Sequence, residues 1–158
     1  MYTKTLRLLS ILAVFCVVVP AVSAADFGVR AGRSDELEEN FVGVDLLIDL
    51  GRVNFNPNVE YFLLDDDEFG NTNAATVNAD FTVDFGSAAL KPYVGLGVGL
   101  FWVDSDFGDD TETLANAIGG VQWDLEFLKP YAQVKYSRSL ENGDGDNDDI
   151  SFVVGLRF

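Results

Sequence analysis

The chain has 158 residues, 26 of them Asp or Glu and 10 Lys or Arg, for a formal net charge of −16. Such an acidic chain is a poor partner for nucleic acid, whose phosphates call for basic surface. It holds no histidine and one cysteine, and without a histidine base Ser-His-acid catalysis and its Cys-His relatives are excluded.

The N-terminus carries Lys4 and Arg7, then an apolar run over residues 8–19, then the small residues Ala21, Val22, Ser23, Ala24 and Ala25. This pattern reads as a secretory signal peptide over residues 1–25, cleaved after Ala24 or Ala25. The run is shorter than the ~20 residues of a membrane-spanning helix. Cys16 lies within it, behind Phe15 where a lipoprotein signal would need a small residue. Residues 26–158 are then a single domain without thiol or disulfide chemistry. Any membrane insertion by that domain must use strands, because only helices and closed barrels satisfy backbone polar groups in lipid.

Period-2 alternation predicts eight strands, at 27–34, 41–50, 53–64, 74–85, 93–103, 114–125, 131–140 and 150–158. Most have the length that a tilted strand needs to cross a bilayer. One face is consistently apolar: Val42, Val44, Leu46 and Ile48 on the second strand, for example, and Val94, Leu96, Val98, Leu100 and Trp102 on the fifth. The other face is polar or small: Asn54, Asn56, Asn58 and Glu60, then Thr76, Asn78, Asp80, Thr82 and Asp84, then Gly95, Gly97 and Gly99, then Asn116, Gln122 and Asp124. The glycines are expected to make room for bulky neighbours across a narrow lumen. Pro57 falls inside the third strand, where its missing N–H predicts a bulge or local irregularity.

The connections alternate. Those at 35–39, 65–68, 104–112 and 141–149 are long and acidic, whereas the other three are short and carry Arg52, Lys91 and Lys129. Long outer loops and short periplasmic turns are the bacterial barrel pattern. Leu90-Lys91-Pro92-Tyr93 recurs as Leu128-Lys129-Pro130-Tyr131, each copy opening a strand. The tyrosines, with Trp102 at the outer edge and Trp123 at the inner one, suit membrane–water interfaces. In the last strand Ile150, Phe152, Val154, Leu156 and Phe158 share a face.

The signal peptide, the eight strands, the segment Lys91-Pro92-Tyr93-Val94-Gly95-Leu96-Gly97-Val98-Gly99 and the final Phe158 together resemble the outer-membrane protein A-type transmembrane β-barrel superfamily. The resemblance implies an all-β, eight-stranded, antiparallel up-and-down barrel in the bacterial outer membrane. It implies contact with outer-membrane lipid and lipopolysaccharide, and insertion by the outer-membrane barrel assembly machinery, with Phe158 as the assembly signal. The sequence carries no peptidoglycan-binding domain, so the resemblance implies no such anchoring role. A secreted soluble β-sandwich or lipocalin-like barrel would also alternate, with its apolar face inward.

The expected lumen brings Arg30, Lys135 and Arg157 against Asp45, Asp49, Glu60, Asp80, Asp84 and Asp124. Such charges must pair or be hydrated. They either form a network that fills a barrel just wide enough for side chains, or, with carboxylates in excess, line a narrow cation-preferring path. In the last outer loop Asp144, Asp146 and Asp148 are candidate ligands for weak divalent binding. The EF-hand pattern fails there, with Asp149 at the turn-glycine position and Gly155 at the bidentate-acid position, and a solvated acidic loop is the simpler reading. No catalytic residue and no cofactor are expected. The function expected is structural or surface-interacting, with a plugged lumen. A porin-like cation channel is the alternative, and a surface enzyme is disfavoured by the missing histidine.

Overall fold

Alternation puts one polar and one apolar face on each segment, and pairing edge to edge satisfies every strand only if the sheet closes. In a computed structural model of the chain it does close. The structure describes residues 25–64, 72–86, 89–105, 108–141 and 148–158, with residues 105, 108 and 109 by backbone alone. The predicted signal segment through residue 24, with Cys16, lies outside them.

The strands are β1 (Ala25–Ser34), β2 (Asn40–Asp49), β3 (Asn54–Leu63), β4 (Asn73–Asp84), β5 (Leu90–Ser105), β6 (Gly108–Trp123), β7 (Lys129–Ser139) and β8 (Asp148–Arg157). Each pairs antiparallel with its neighbours in sequence order, and β8 pairs with β1 to close the barrel. The closing ladder runs from Gly28↔Arg157 to Ser34↔Ser151. Phe158 extends it in the same register: its N–H donates to Phe27 O at 2.9 Å, and Phe27 N–H donates to Phe158 O at 3.1 Å. The start of β1, Phe158 and the short turns after β2 and β6 lie at one end of the barrel (the terminal end), and the turn after β1 and the tip of the β5–β6 hairpin lie at the other (the loop end).

Burial is inverted relative to a water-soluble barrel. The polar face points inward, where Asp45, Asn58, Glu60 and Asp80 are fully buried. The apolar face points outward: Leu96 is 70% exposed, with Val94, Val98 and Leu100 exposed on the same strand and Phe152 and Val154 on β8, whereas Leu46 and Ile48 of β2 are buried. Aromatic side chains mark both edges of this apolar belt, Trp123, Phe85, Phe127 and Phe158 at the terminal end and Tyr61, Trp102 and Tyr136 at the loop end. The Tyr61 and Tyr136 hydroxyls donate to Asn73 Oδ1 at 2.6 Å and to Asp148 Oδ2 at 2.5 Å. Each ring thus lies on the apolar belt while its hydroxyl bonds a polar group.

Two expectations are corrected. Tyr93 and Tyr131 do not sit on the outer surface; both are buried in the lumen. They share strand parity with Gly95 and Gln133, which face inward. The acidic segment 104–112 is not a long loop, because β5 and β6 stay paired as far as Ser105↔Gly108. Acidic residues are solvated on a projecting hairpin as well as on a loop, and Thr111 and Thr113 keep the period of 2 through them. At Pro57 the expected local irregularity is present without a shift of register: the β2–β3 ladder skips the two pairs at Leu46 and Leu47 between Asp45↔Asn58 and Ile48↔Phe55. Leu46 O, opposite Pro57, accepts from Asn56 Nδ2 at 2.6 Å instead of from a backbone N–H.

Candidate functional site

The lumen is built in layers. Nearest the terminal end, Arg157 comes inward from the last residue of β8. Its Nε donates to Asp45 Oδ2 at 2.6 Å and its Nη1 to Gln122 Oε1 at 2.7 Å. The guanidinium lies 3.9 Å from the Tyr131 ring centre. Asn56 Nδ2 and Tyr131 Oη complete the Asp45 carboxylate at 2.9 Å each. A carboxylate buried with three donors is held in place, and those bonds replace much of its lost hydration.

The middle layer is amide-rich. Asp80 accepts from Asn58 Nδ2 at 2.8 Å and from Asn116 Nδ2 at 3.1 Å. Asn78 Nδ2 donates to Asn58 Oδ1 at 2.9 Å, and Ser137 Oγ donates to Asn116 Oδ1 at 3.0 Å. Above it, Glu60 is clamped between two cations: Arg30 Nη2 is 2.9 Å from Oε1, and Lys135 Nζ bonds Oε2. Thr76 Oγ1 donates to the same Oε2 at 2.9 Å. The layer nearest the loop end is apolar, with Phe41, Phe62, Val153 and Phe101 packed together. Phe62 contacts Phe41 at 5.3 Å and Phe101 edge-on at 5.8 Å between ring centres.

Glycines make room for these side chains. They do so within neighbouring strand pairs, and the groups they admit are mostly polar, which corrects the expectation of bulky partners across the lumen. A Cβ at Gly97 would strike the Asp80 carboxylate, and one at Gly95 would lie 2.7 Å from Thr82 Cγ2. The repeated Leu-Lys-Pro-Tyr segment uses one device twice. Tyr93 pairs with Gly120 and Tyr131 with Gly155, so each ring lies where a side chain on the next strand would be. The lysines also act alike: Lys91 pairs with Asp124 at 2.8 Å and Lys129 with Asp26 at 2.5 Å.

Of the nine charged residues expected inside, the structure gathers Arg30, Asp45, Glu60, Asp80, Lys135 and Arg157 into the buried interior. The other three are corrected to the terminal rim. Asp49 is exposed and accepts Gly51 N–H at 2.6 Å in the turn after β2. Asp84, the last residue of β4, is exposed. Asp124 lies beyond β6, where the hydrogen bond from Lys91 holds its carboxyl below the usual range. All three have inward parity, but the strands end before it can bury them. Among the described residues the buried charges are therefore three cations against three carboxylates, and the carboxylate excess expected to favour a cation path is absent from the interior.

Asp144 and Asp146 lie outside the described residues. Asp148 accepts from Tyr136 and lies 3.7 Å from Arg138 Nε. Among the described residues, no cluster of His, Cys, Asp or Glu suited to a metal is present. The expected charge network left out Tyr93, Tyr131 and Gln133, and it did not include the amides of Asn56, Asn58, Asn78, Asn116 and Gln122, which strand parity had already put on the polar face.

At the loop end a cavity of about 120 Å³ opens above the aromatic layer. Phe62, Phe101, Leu37 and Leu114 give it apolar surface, and Glu36, Glu112 and Asp149 give it carboxylates. Asp149 is pinned by Ser34 Oγ at 2.7 Å, Ser151 Oγ at 2.6 Å and Glu36 N–H at 3.1 Å, which ties residues 35–37 across the mouth. Partial burial, then the neighbouring Asp149, Glu112 and Asp148, push Glu36 above the ordinary carboxylate value.

No protein-family model matches the chain, and no curated protein matches it. Solved structures do. Neisserial surface protein A superposes with a TM-score of 0.70 at 15% identity, covering 85% of this chain and 96% of that one. The N-terminal β-barrel domain of Pseudomonas aeruginosa OprF gives 0.67 at 18% identity, covering 87% and 98%. The outer membrane enzyme PagL gives 0.57 at 12%, covering 84% and 98%. At these identities the likeness carries the fold alone, and that fold is the small eight-stranded barrel these outer-membrane proteins share.

Proposed function

We propose that this chain is a non-catalytic outer-membrane barrel whose lumen is plugged and whose acidic loop end faces the outside as an interaction surface. The membrane part of this reading rests on the inverted burial. An exposed belt of Val, Leu and Phe edged by Trp and Tyr suits lipid and would drive aggregation in water. The belt's partner is then outer-membrane lipid, with lipopolysaccharide on the loop side. Insertion relies on the barrel assembly machinery reading the last strand, with Phe158 as its mark. The likeness to a surface protein and to the OprF barrel agrees with this setting. The likeness to PagL raises a catalytic alternative, against which stands the absence of histidine from the sequence.

One observation carries the plugged lumen: successive layers of buried side chains paired or packed with one another, Arg157–Asp45, then Asp80 with its amides, then the Arg30–Glu60–Lys135 ion pairs, then Phe41–Phe62–Phe101. The deciding experiment is single-channel recording of the refolded chain in a planar bilayer under a salt gradient. Folding is confirmed separately by β-rich circular dichroism and a heat-dependent gel shift. A silent bilayer is the expected result. Discrete steps with a cation-selective reversal potential, lost in Asp80→Asn, would overturn the plug and establish a small pore.

A further inference from the structure

The cavity at the loop end is lined differently from the rest of the lumen. Four of its lining hydroxyls spend their protons on the wall. Ser34 and Ser151 donate to Asp149, Ser137 to Asn116 Oδ1, and Thr76 to Glu60. What these groups can offer a guest is oxygen lone pairs. Lys135 is the one cation in the lining, and its ammonium is bonded to Glu60. Glu36 and Glu112 also line the space, and among the described residues no salt bridge reaches either carboxylate. Apolar surface comes from Leu37 and Leu114 and from Phe62 and Phe101, whose rings meet edge-on.

Apart from the Lys135 ammonium, which bonds Glu60, the polar wall offers acceptors, and with two carboxylates that no described salt bridge reaches and an aromatic surface it defines a complement: a guest that donates hydrogen bonds, carries positive charge and has a short apolar body. A hydrated metal ion fits this poorly, because the apolar surface would strip its water and give nothing back. An alkylammonium group fits on all three counts.

We propose that the loop-end cavity is a binding site for a small alkylammonium ion, a primary amine or a short diamine. The ammonium sits among Glu36, Glu112 and the serine oxygens, and the methylenes lie against Phe62 and Leu114. The aromatic and Glu60 layers below stop the guest from going further, so the barrel holds it at the mouth and does not conduct it. The site goes beyond the plugged-barrel reading and is tested without any conductance measurement, so the two can fail separately.

The test is isothermal titration of 1,4-diaminobutane into the refolded barrel in neutral detergent, with 1,4-butanediol as the uncharged probe of the same length. Saturable binding of the diamine and none of the diol is expected. Glu36→Gln and Glu112→Gln should each weaken binding roughly fivefold, the size of one half-exposed charge pair. Glu38→Gln, in the same loop but outside the cavity, should leave the affinity unchanged. Each variant is checked for the heat-dependent gel shift, and substitutions at these solvent-reached carboxylates leave the barrel folded. No saturable heat, or equal binding of the diol, would overturn the site. An equal loss in Glu38→Gln would also overturn it, because the acidic end would then attract cations without a defined pocket.

Discussion

Glu60→Gln tests the filled lumen most directly. The carboxylate is fully buried, lies 2.9 Å from Arg30 Nη2, bonds Lys135 Nζ and accepts Thr76 Oγ1 at 2.9 Å. Glutamine keeps the shape, removes the charge and turns an NH₂ donor toward one of two buried cations. Breaking a buried pair from one side costs about 3–5 kcal/mol, because the abandoned charge stays desolvated. Two cations share this carboxylate, so the upper half of that range is expected. Urea unfolding in lipid vesicles, followed by the fluorescence of Trp102 and Trp123, measures it. Lys135→Met in the Glu60→Gln background should recover part of the loss, with an interaction energy of about 0.5–3 kcal/mol. Asp84→Asn at the rim should stay within about 0.5 kcal/mol of the parent. A Glu60→Gln barrel within about 1 kcal/mol of the parent would refute the reasoning. Water would then be reaching these charges, and the lumen would be a wet path.

Neighbouring positions on β5 should fail for opposite reasons in the same assay. Leu96→Arg puts a charge on the apolar belt and should cost about 2–4 kcal/mol in lipid, whereas Gly97→Leu overpacks the lumen against Asp80 and the Ala79 carbonyl and should cost about 1–3 kcal/mol; if both were silent, the two faces would be misassigned. Deleting Phe158 removes two backbone hydrogen bonds at the closing seam and the 5.9 Å ring contact with Phe27. About 2 kcal/mol should be lost in vitro and less heat-resistant barrel recovered from cells; unchanged cellular levels would remove Phe158 as an assembly mark. Carboxyl NMR titration should place Glu36 above and Asp124 below their ordinary values. The signs differ: the Asp124–Lys91 contact stabilises above the unfolded Asp value and is lost as pH falls through the lowered one. The Glu36 contribution is complete in acid and is lost as pH rises through its raised value, so Glu36→Gln should flatten that second dependence.

The strands were legible because a period of 2 survives every local irregularity, Pro57 included. The central lumen charges were legible for the same reason: parity alone puts Arg30, Glu60, Asp80 and Lys135 on one face of their strands. Parity does not say how far along a strand the enclosure extends, so Asp49, Asp84 and Asp124 were placed inside when they stand at its edge. Tyr93 and Tyr131 went wrong through the opposite choice. Their closeness to Lys-Pro suggested an interface, while their alternation with Gly95, Gly97 and Gln133 already pointed them inward. The length of the β5–β6 hairpin was hidden because acidity reads as loop, although backbone pairing is indifferent to solvated carboxylates. The cavity at the mouth was not legible at all. It forms where residues 35–37 meet Asp149, far apart in sequence, and depends on which way hydroxyl protons turn.

In the proposed plugged barrel, the acid of this chain is concentrated where it cannot drive conduction. The described interior is balanced, three buried cations against three buried carboxylates, so the acidic excess behind the formal net charge of −16 lies outside it. Charge at the mouths concentrates counter-ions there, but a conducting path also needs hydrated space through the middle. On the proposed reading, two unlike seals occupy that space. Opening the aromatic layer, by shortening Phe62, would still leave the Glu60 clamp beneath it. Neutralising Glu60 would leave the rings in place above and two unpaired cations facing any entering cation. A single substitution in either layer should therefore leave the barrel silent, and current appearing from one such change would mean that one seal alone had closed the lumen.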